Sequence, residues 1–493
     1  MFYKLIESKR DCWIKSPECP VKELVNYIVG RGMMRDAQIE AIKTYLFLKI
    51  GCKDKPLWQL FYNGVLSSPD SIALTGDERE LIGSNIPALA LMQYAALPNK
   101  NGEALAPELA KAIKANPSCV DYEKVFRNLF YGVDYPDYLF SLPMGAGKTY
   151  LMAAFIYLDL YFAQNEPSNP IFAHNFMILA PSGLKSSIIP SLKKIQNFDP
   201  SWVLPEPAAS NIRRMIKFEV LDEQKSAKKS NRIKNPNAQK LNMHLASEGE
   251  SLMGLVAVTN AEKVILDRLD KDTQSSLLSK EELDKMKIAN ELRHVIGQIP
   301  HLATFVDEVH HAADSEIKLR QVVTHWAESQ NFNCMLGFSG TPYLEKAEKV
   351  QMTDTITVSN TDLSNVVYHY PLIDGIGNFL KYPDIRTADA DADTIIRNGL
   401  THFLDKFKDK VYPGGLCAKL AIYCGKIETL EERIYPLVSE ILQAYHINPA
   451  GISYQNYSVC NLFRFQMQME SASITVDRQF GVRKYHNGKC NYR

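Results

Sequence analysis

Nine consecutive residues, Ser141-Leu142-Pro143-Met144-Gly145-Ala146-Gly147-Lys148-Thr149, have the types and spacing of a phosphate cradle. Gly145 and Gly147 let the backbone turn tightly enough to aim N–H groups at phosphate oxygens, with Met144 and Ala146 completing the loop. Lys148 reaches the β/γ oxygens, and the Thr149 hydroxyl can hold a magnesium ion. The expected ligand is a nucleoside triphosphate with Mg2+. Position 142 is Leu where the general pattern has Gly, which leaves the tighter Gly-x-Gly-Lys-Thr form.

Two further clusters fit the same chemistry. The apolar run from His301 to Val306 ends in Asp307-Glu308, and carboxylates at the end of a buried strand sit where open α/β sheets bind ligands. Asp307 would bind the magnesium ion directly or through water. Glu308 would orient and deprotonate the water that attacks the γ-phosphate. A third apolar run, Cys334 to Phe338, ends in Ser339-Gly340-Thr341-Pro342, where small hydroxyl residues and a proline stop the strand. His310 and His311 are neighbours in sequence, so their side chains point apart and a metal site between them is not expected.

These residues need a scaffold that gathers strand ends. Phe140 and Leu142 lead into the loop, and the helix-compatible Tyr150–Tyr157 follows it, which places the loop between a strand and a helix N-terminus, where anions bind. Phe176–Ser182 and Leu255–Asn260 are two more apolar strands with polar ends. Strands alternating with helical stretches, all delivering their C-terminal ends to one edge, predict an α/β fold: a parallel sheet flanked by helices.

Composition bounds the rest. The 493 residues suit two or three domains, and 56 Lys+Arg against 56 Asp+Glu give no net field to attract a polyanion. No apolar run approaches the roughly 20 residues of a membrane span, Ile86–Leu97 being short and interrupted by Gln93, and the start Met1-Phe2-Tyr3-Lys4 lacks a signal-peptide pattern. A cytoplasmic location without membrane association is expected. Nine scattered cysteines, without paired spacing, argue against a disulfide framework or a zinc site, and Cys417 and Cys424 read as space-filling. Lys225, Lys228, Lys229, Arg232, Lys234 and Lys240 form a basic run with no acid between Gln224 and Ser247. A solvated insertion is the commoner meaning of such a run, and a nucleic-acid-facing loop is the alternative.

The order of these motifs resembles superfamily-two helicases. Met144–Thr149, Ala180-Pro181-Ser182, Val258-Thr259-Asn260, Asp307-Glu308-Val309-His310 and Ser339-Gly340-Thr341-Pro342 look like that family's motifs I, Ia, Ib, II and III. The Asp-Glu-x-His variant with Ser-Gly-Thr-Pro points toward the DEAD/DEAH-like branch containing the Res (motor) subunit of type III restriction enzymes. Upstream, Arg35-Asp36-Ala37-Gln38 is similar to the Arg-x-x-Gln helix by which such enzymes recognise adenine. The resemblance implies RecA-like domains and ATP with Mg2+ as ligands, with Arg35 and Gln38 at the adenine. It implies that His310, Ser339 and Thr341 couple hydrolysis to movement, double-stranded DNA as partner, and a place for a methyltransferase (modification) subunit. Val366–Ile376 looks like the segment crossing toward a second RecA-like domain.

Departures from that pattern shape the expected layout. About a hundred residues separate Gln38 from the phosphate loop, including Glu78–Leu81 and the helix-like Leu105–Ala115, and read as a helical insertion. The layout is then 1–135, an N-terminal region with the adenine helix and the insertion; 136–360, the first RecA-like domain; 361–450, a linker and partial second RecA-like domain; and 451–493, an irregular tail. Lys419–Cys424 is a strand candidate, followed by a helix from Glu428 to Tyr445 with apolar Leu430, Ile434, Leu437 and Ile441. No Gly-Trp-Asp-like motif V or Gln-x-x-Gly-Arg-x-x-Arg motif VI follows, and Gln479–Arg483 has the wrong spacing. The chain therefore reads as cut short, its own ATP turnover as weak, and a non-catalytic nucleotide-binding or interaction protein from a disrupted gene as the alternative. Pro383-Asp384 has no Glu-x-Lys partner, so no nuclease activity is expected.

Overall fold

The computed structural model describes residues 2–67, 72, 74–98, 102–180, 188–221, 235–265, 291–307, 313–329, 331–380, 382, 390–412, 416–418, 420–424 and 428–448. Beyond these it describes only the strand backbones of 452–455, 461–465, 484–486 and 489–491. The chain divides into two compact units, one of Met1–Pro181 with Leu192–Lys381 and one of Ser182–Ser191 with Tyr382–Arg493.

The first unit is built on a seven-stranded sheet in the order β3-β4-β2-β5-β6-β1-β9. Its strands are β1 (Asp137–Ser141), β2 (Asn175–Ala180), β3 (Lys217–Val220), β4 (Leu255–Asn260), β5 (Leu302–Asp307), β6 (Phe332–Ser339) and β9 (Val366–His369). Every adjacent pair is parallel. A parallel sheet covered on both faces needs strands that are apolar throughout, and β1, β2, β4, β5 and β6 are almost wholly buried. The half-buried β3 closes one edge. At the other edge β9 lies beyond residue 360 and hydrogen-bonds to β1, so the sheet-bearing unit continues to Lys381. Strands β7 (Tyr343–Gln351) and β8 (Thr357–Asp362) form a separate antiparallel hairpin between β6 and β9.

Among the described residues eight α-helices precede β1: α1 (Tyr3–Lys15), α2 (Lys22–Arg31), α3 (Asp36–Leu46), α4 (Leu57–Tyr62), α5 (Gly76–Ile82), α6 (Ile86–Ala95), α7 (Pro107–Ala115) and α8 (Tyr122–Leu129). Helices α4 to α8 occupy the region expected to be a helical insertion. The apolar stretch that begins at Ile86 is the ten-residue α6, mostly buried within this layer, and among the described residues no helix is long and apolar enough to cross a membrane.

Helix α9 (Lys148–Asn165) carries the phosphate loop at its N-terminus and is apolar on nearly every side, as a helix enclosed by its neighbours must be. It packs on an aromatic row that spans four adjacent strands. Phe140 on β1, Phe338 on β6, Phe305 on β5 and Phe176 on β2 have ring centroids 5.9, 5.7 and 5.6 Å apart in turn, and Phe155 of α9 lies 5.0 Å from Phe140. Tilted and offset ring pairs contribute about 0.5–1.5 kcal/mol each beyond burial, so this row holds α9 in a single position over the sheet. Beside α9 the Tyr45 ring of α3 stacks on Phe155 at 4.0 Å and lies 6.4 Å from Phe140, and its hydroxyl donates to Asp159 at 2.6 Å.

A buried ionic cluster extends that junction. After α3 the chain makes one wider π-helical turn, Phe47–Gly51, which aims Lys49 inward. Its ammonium lies 2.7 Å from Asp54, 3.7 Å from Asp159 and 2.6 Å from the Asn333 amide oxygen on β6. Burial lifts the Asp54 carboxyl to about 6 against the pull of Lys49. The Lys49 pKa is raised: burial opposes its charge, but Asp159 and Asp54 together outweigh that. At the N-terminal ends of β2 and β5, the His174 and His301 rings stack at 4.1 Å, and the buried His174 Nε2 has no hydrogen-bond partner. Burial and the neighbouring His301 push His174 down to about 4.

In the second unit, helix Ala392–Phe407 packs against a π-helical turn, Thr429–Ile434, that runs into helix Tyr435–Ala444. Leu430, Ile434, Leu437 and Ile441 all enter its core, together with Leu400 and Leu404. Strand Leu420–Cys424 is present where a strand was expected and pairs antiparallel with Asn461–Phe465, which pairs antiparallel with Ile452–Gln455. Pro383 and Asp384, Lys419, and the tail outside its short strands lie outside the described residues.

Candidate functional site

The phosphate loop leaves β1 at Ser141 and enters α9 at Lys148. Gly145 and Gly147 have φ of +83° and +90°, a conformation that a side chain strains, so both glycines are required by the backbone. The turn is held at its root by Leu142 N–H donating to the Ser339 carbonyl at 2.9 Å, and at its exit by Tyr150 N–H donating to the Gly147 carbonyl at 3.0 Å. The Lys148 ammonium lies 3.4 Å from the Leu142 carbonyl oxygen. A Cβ placed on Gly340 would come within 3.8 Å of that ammonium, so the lysine reaches the end of β6.

Sheet register brings the third and second clusters to the same edge. Ser141 is paired with Ser339, Phe140 with Phe338, and Phe338 with Asp307. Asp307 is therefore level with the last residues of β1 and two strands away, about 10 Å across the sheet. Strand β6, ending at Ser339 and followed by Thr341, fills the gap between them. The Ser339 hydroxyl accepts from Thr341 N–H at 3.1 Å and donates to the Thr341 carbonyl at 2.7 Å, a local bridge that shapes the turn before the β7–β8 hairpin. Glu308 and His310 lie outside the described residues, as do His311 and the Pro181-Ser182 end of β2. Thr259, at the end of β4, donates its hydroxyl to the Leu221 carbonyl at 3.2 Å. Of the basic run, Lys225 to Lys234 fall outside the described residues, and Lys240 bonds the Val220 carbonyl at 3.3 Å.

Arg35 and Gln38, more than a hundred residues upstream, meet the loop directly. Arg35 caps α3 and Gln38 lies in its first turn, where the amide oxygen accepts from Arg35 N–H at 2.9 Å. The Gln38 amide nitrogen donates to the Gly147 carbonyl at 3.0 Å, and the Arg35 guanidinium donates to the Gly145 carbonyl. A cradle uses its N–H groups for phosphate, so carbonyl oxygens are left on the outer side, and these two side chains occupy them. Among the residues sequence reasoning did not mark, His369 at the end of β9 lies 3.1 Å from the Ser141 hydroxyl, and Phe379 faces the Arg35 guanidinium at 5.0 Å. Phe379 belongs to no recognisable motif, and His369 lies in Val366–Ile376, expected to cross toward a second domain, whose first four residues the structure instead pairs with β1 as β9.

The arrangement is a glycine turn at a helix N-terminus, a lysine reaching over it, and a carboxylate two strands away on the same edge. Residues 111–344 match the family described as type III restriction enzyme, res subunit. The chain carries a domain of this family. It is a superfamily-two helicase-like domain, and the matched segment contains the phosphate loop, Asp307 and the Ser339–Thr341 turn while beginning well after Gln38. No curated protein matches the chain.

Proposed function

We propose that this chain is an ATP-hydrolysing motor that acts on double-stranded DNA, similar to the Res subunit of type III restriction enzymes. The observation that carries this reading is the shared sheet edge: the phosphate loop after β1, Ser339 at the end of β6 and Asp307 at the end of β5 stand side by side in a res-type domain. The residues fit Mg-ATP. The two positive-φ glycines open a cradle of N–H groups, Lys148 is poised over it, and Thr149 stands in the first turn of the helix whose dipole favours anions. Thr149 and Asp307 would hold the magnesium ion, whose charge offsets that of the β/γ oxygens. Lys148 stabilises charge on the transferred phosphoryl group, and Glu308, next in the chain after Asp307, accepts the proton of the attacking water. Gln38 and Arg35 orient the base. His310, Ser339 and Thr341 pass the change at the γ-phosphate to the hairpin that follows and to DNA. A modification subunit as partner belongs to the same reading.

The test separates binding from chemistry. Lys148→Ala abolishes ATP binding in calorimetry, whereas Glu308→Gln keeps binding and loses phosphate release. Duplex DNA raises the turnover of the unmodified protein. Equal loss of binding in both variants contradicts the assigned roles, and turnover indifferent to DNA refutes the motor.

A further inference from the structure

Ser141 ends β1 at the root of the phosphate loop and is wholly buried, so its hydroxyl has to be met from within the protein. The group that meets it comes from the end of β9. His369 Nδ1 lies 3.1 Å from Ser141 Oγ, within hydrogen-bond distance, and the next residue, Tyr370, donates its N–H to the Ser141 carbonyl at 2.9 Å. Two consecutive residues thus hold both oxygens of Ser141.

This pairing depends on an irregularity of the edge strand. Leu139 stands opposite Val366 but Phe140 stands opposite Tyr368, so β9 carries one residue more than β1 between those pairs. An extra residue re-aims the side chains that follow it. In even register Ser141 would face Tyr368, and the shift sets His369 there instead. Ser141 is paired on its other side with Ser339, so His369, Ser141 and Ser339 lie level across β9, β1 and β6 where the loop begins. The Tyr3 ring of α1 meets the His369 ring edge-on at 5.5 Å while packing with Leu139 and Val366, which holds the imidazole in place.

None of the roles above uses His369. The Leu142 carbonyl, 3.4 Å from the Lys148 ammonium, belongs to the residue directly after Ser141, so a displacement of Ser141 reaches the lysine within one residue. We propose that His369 is a positioning residue for phosphate binding, which holds the Ser141 hydroxyl and thereby fixes the root from which the loop and Lys148 are set. The assignment rests on the ATP-hydrolysing reading above. Its physical content is preorganisation: a loop already held at its root has less freedom to lose when phosphates bind.

Titration of the full chain with ATP and with inorganic tripolyphosphate, which carries the phosphates alone, tests it, with urea denaturation of each variant alongside. In His369→Phe, which keeps a ring against Tyr3 but offers no nitrogen to the hydroxyl, both ligands bind roughly 2- to 10-fold more weakly, the worth of one hydrogen bond. Ser141→Ala, a smaller change, weakens both by a similar factor. His369→Asn, which sets an amide in place of Nδ1, restores most of the affinity. In a Ser141→Ala background His369→Phe has no further effect, because the hydroxyl it acts through is gone. Unchanged affinity in His369→Phe overturns the proposal, as does an equal loss in both backgrounds or a loss that His369→Asn does not recover, either of which would mark a merely structural residue. A loss for ATP alone overturns it too, since the effect would then lie at the base. An unmodified protein that binds neither ligand removes the nucleotide reading itself, an outcome distinct from these.

Discussion

Replacing Gly147 by Ala tests how the phosphate loop is held. The position has φ +90° and ψ +41°, where a side chain costs about 1–2 kcal/mol. The new Cβ would stand 2.5 Å from Gln38 Nε2, far inside contact distance. Because that nitrogen ends a flexible side chain, the overlap is relieved by rotation, and rotation gives up the 3.0 Å bond to the Gly147 carbonyl and the 2.9 Å bond from Arg35 N–H. Gln38 is only 4% exposed, so water does not replace those bonds freely, and each is worth about 0.5–1.5 kcal/mol. The expected total is about 2–5 kcal/mol of stability in urea denaturation, with ATP affinity reduced in parallel. In a Gln38→Ala background the bonds are already absent, so Gly147→Ala costs only the backbone strain, and the cycle shows a coupling of about 1–3 kcal/mol. Equal cost in both backgrounds would show that Gln38 does not brace the loop. No cost in either would refute the left-handed turn.

Two further expectations concern groups away from the loop. Lys49→Met leaves Asp54 and Asp159 buried without their cation, so unfolding free energy should drop by about 3–5 kcal/mol, and a loss below about 1 kcal/mol would contradict the ion cluster. His174, held neutral down to about 4 where an unfolded histidine takes its proton near 6.5, makes the unfolded chain the better proton acceptor between those values. Stability is therefore full above pH 6.5 and is lost as pH falls toward 4, by up to about 3 kcal/mol. His174→Phe keeps a stacking ring and should flatten this limb of the stability–pH curve, whereas an unchanged curve would assign the acid sensitivity elsewhere.

What could be read from the chain was local. The phosphate loop, the ends of β2, β4, β5 and β6, and the apolar stripe Leu430, Ile434, Leu437, Ile441 were legible because each is a contiguous run whose residue types dictate its backbone or its buried face. The β7–β8 hairpin was not, since its Thr-, Lys- and Glu-rich strands carry no sustained alternation of apolar and polar residues. Lys49 likewise looks like any surface lysine until the π-helical turn aims it inward at Asp159 and Asn333, residues distant in sequence.

By itself, then, the order of residues determined that a glycine turn leads into a helix N-terminus, that buried parallel strands carry it, and that an acid ends one of those strands. The tertiary structure decided which strand ends are neighbours, placing β6 between β1 and β5 so that Ser339 stands between the loop and Asp307. It also decided that Arg35, Gln38 and Phe379 converge on the rim of the loop from opposite directions along the chain. The physical reason is the range of the forces: dihedral preference and apolar periodicity act within a few residues, while strand order and side-chain convergence are settled by burying whole faces together, which no short stretch of sequence encodes.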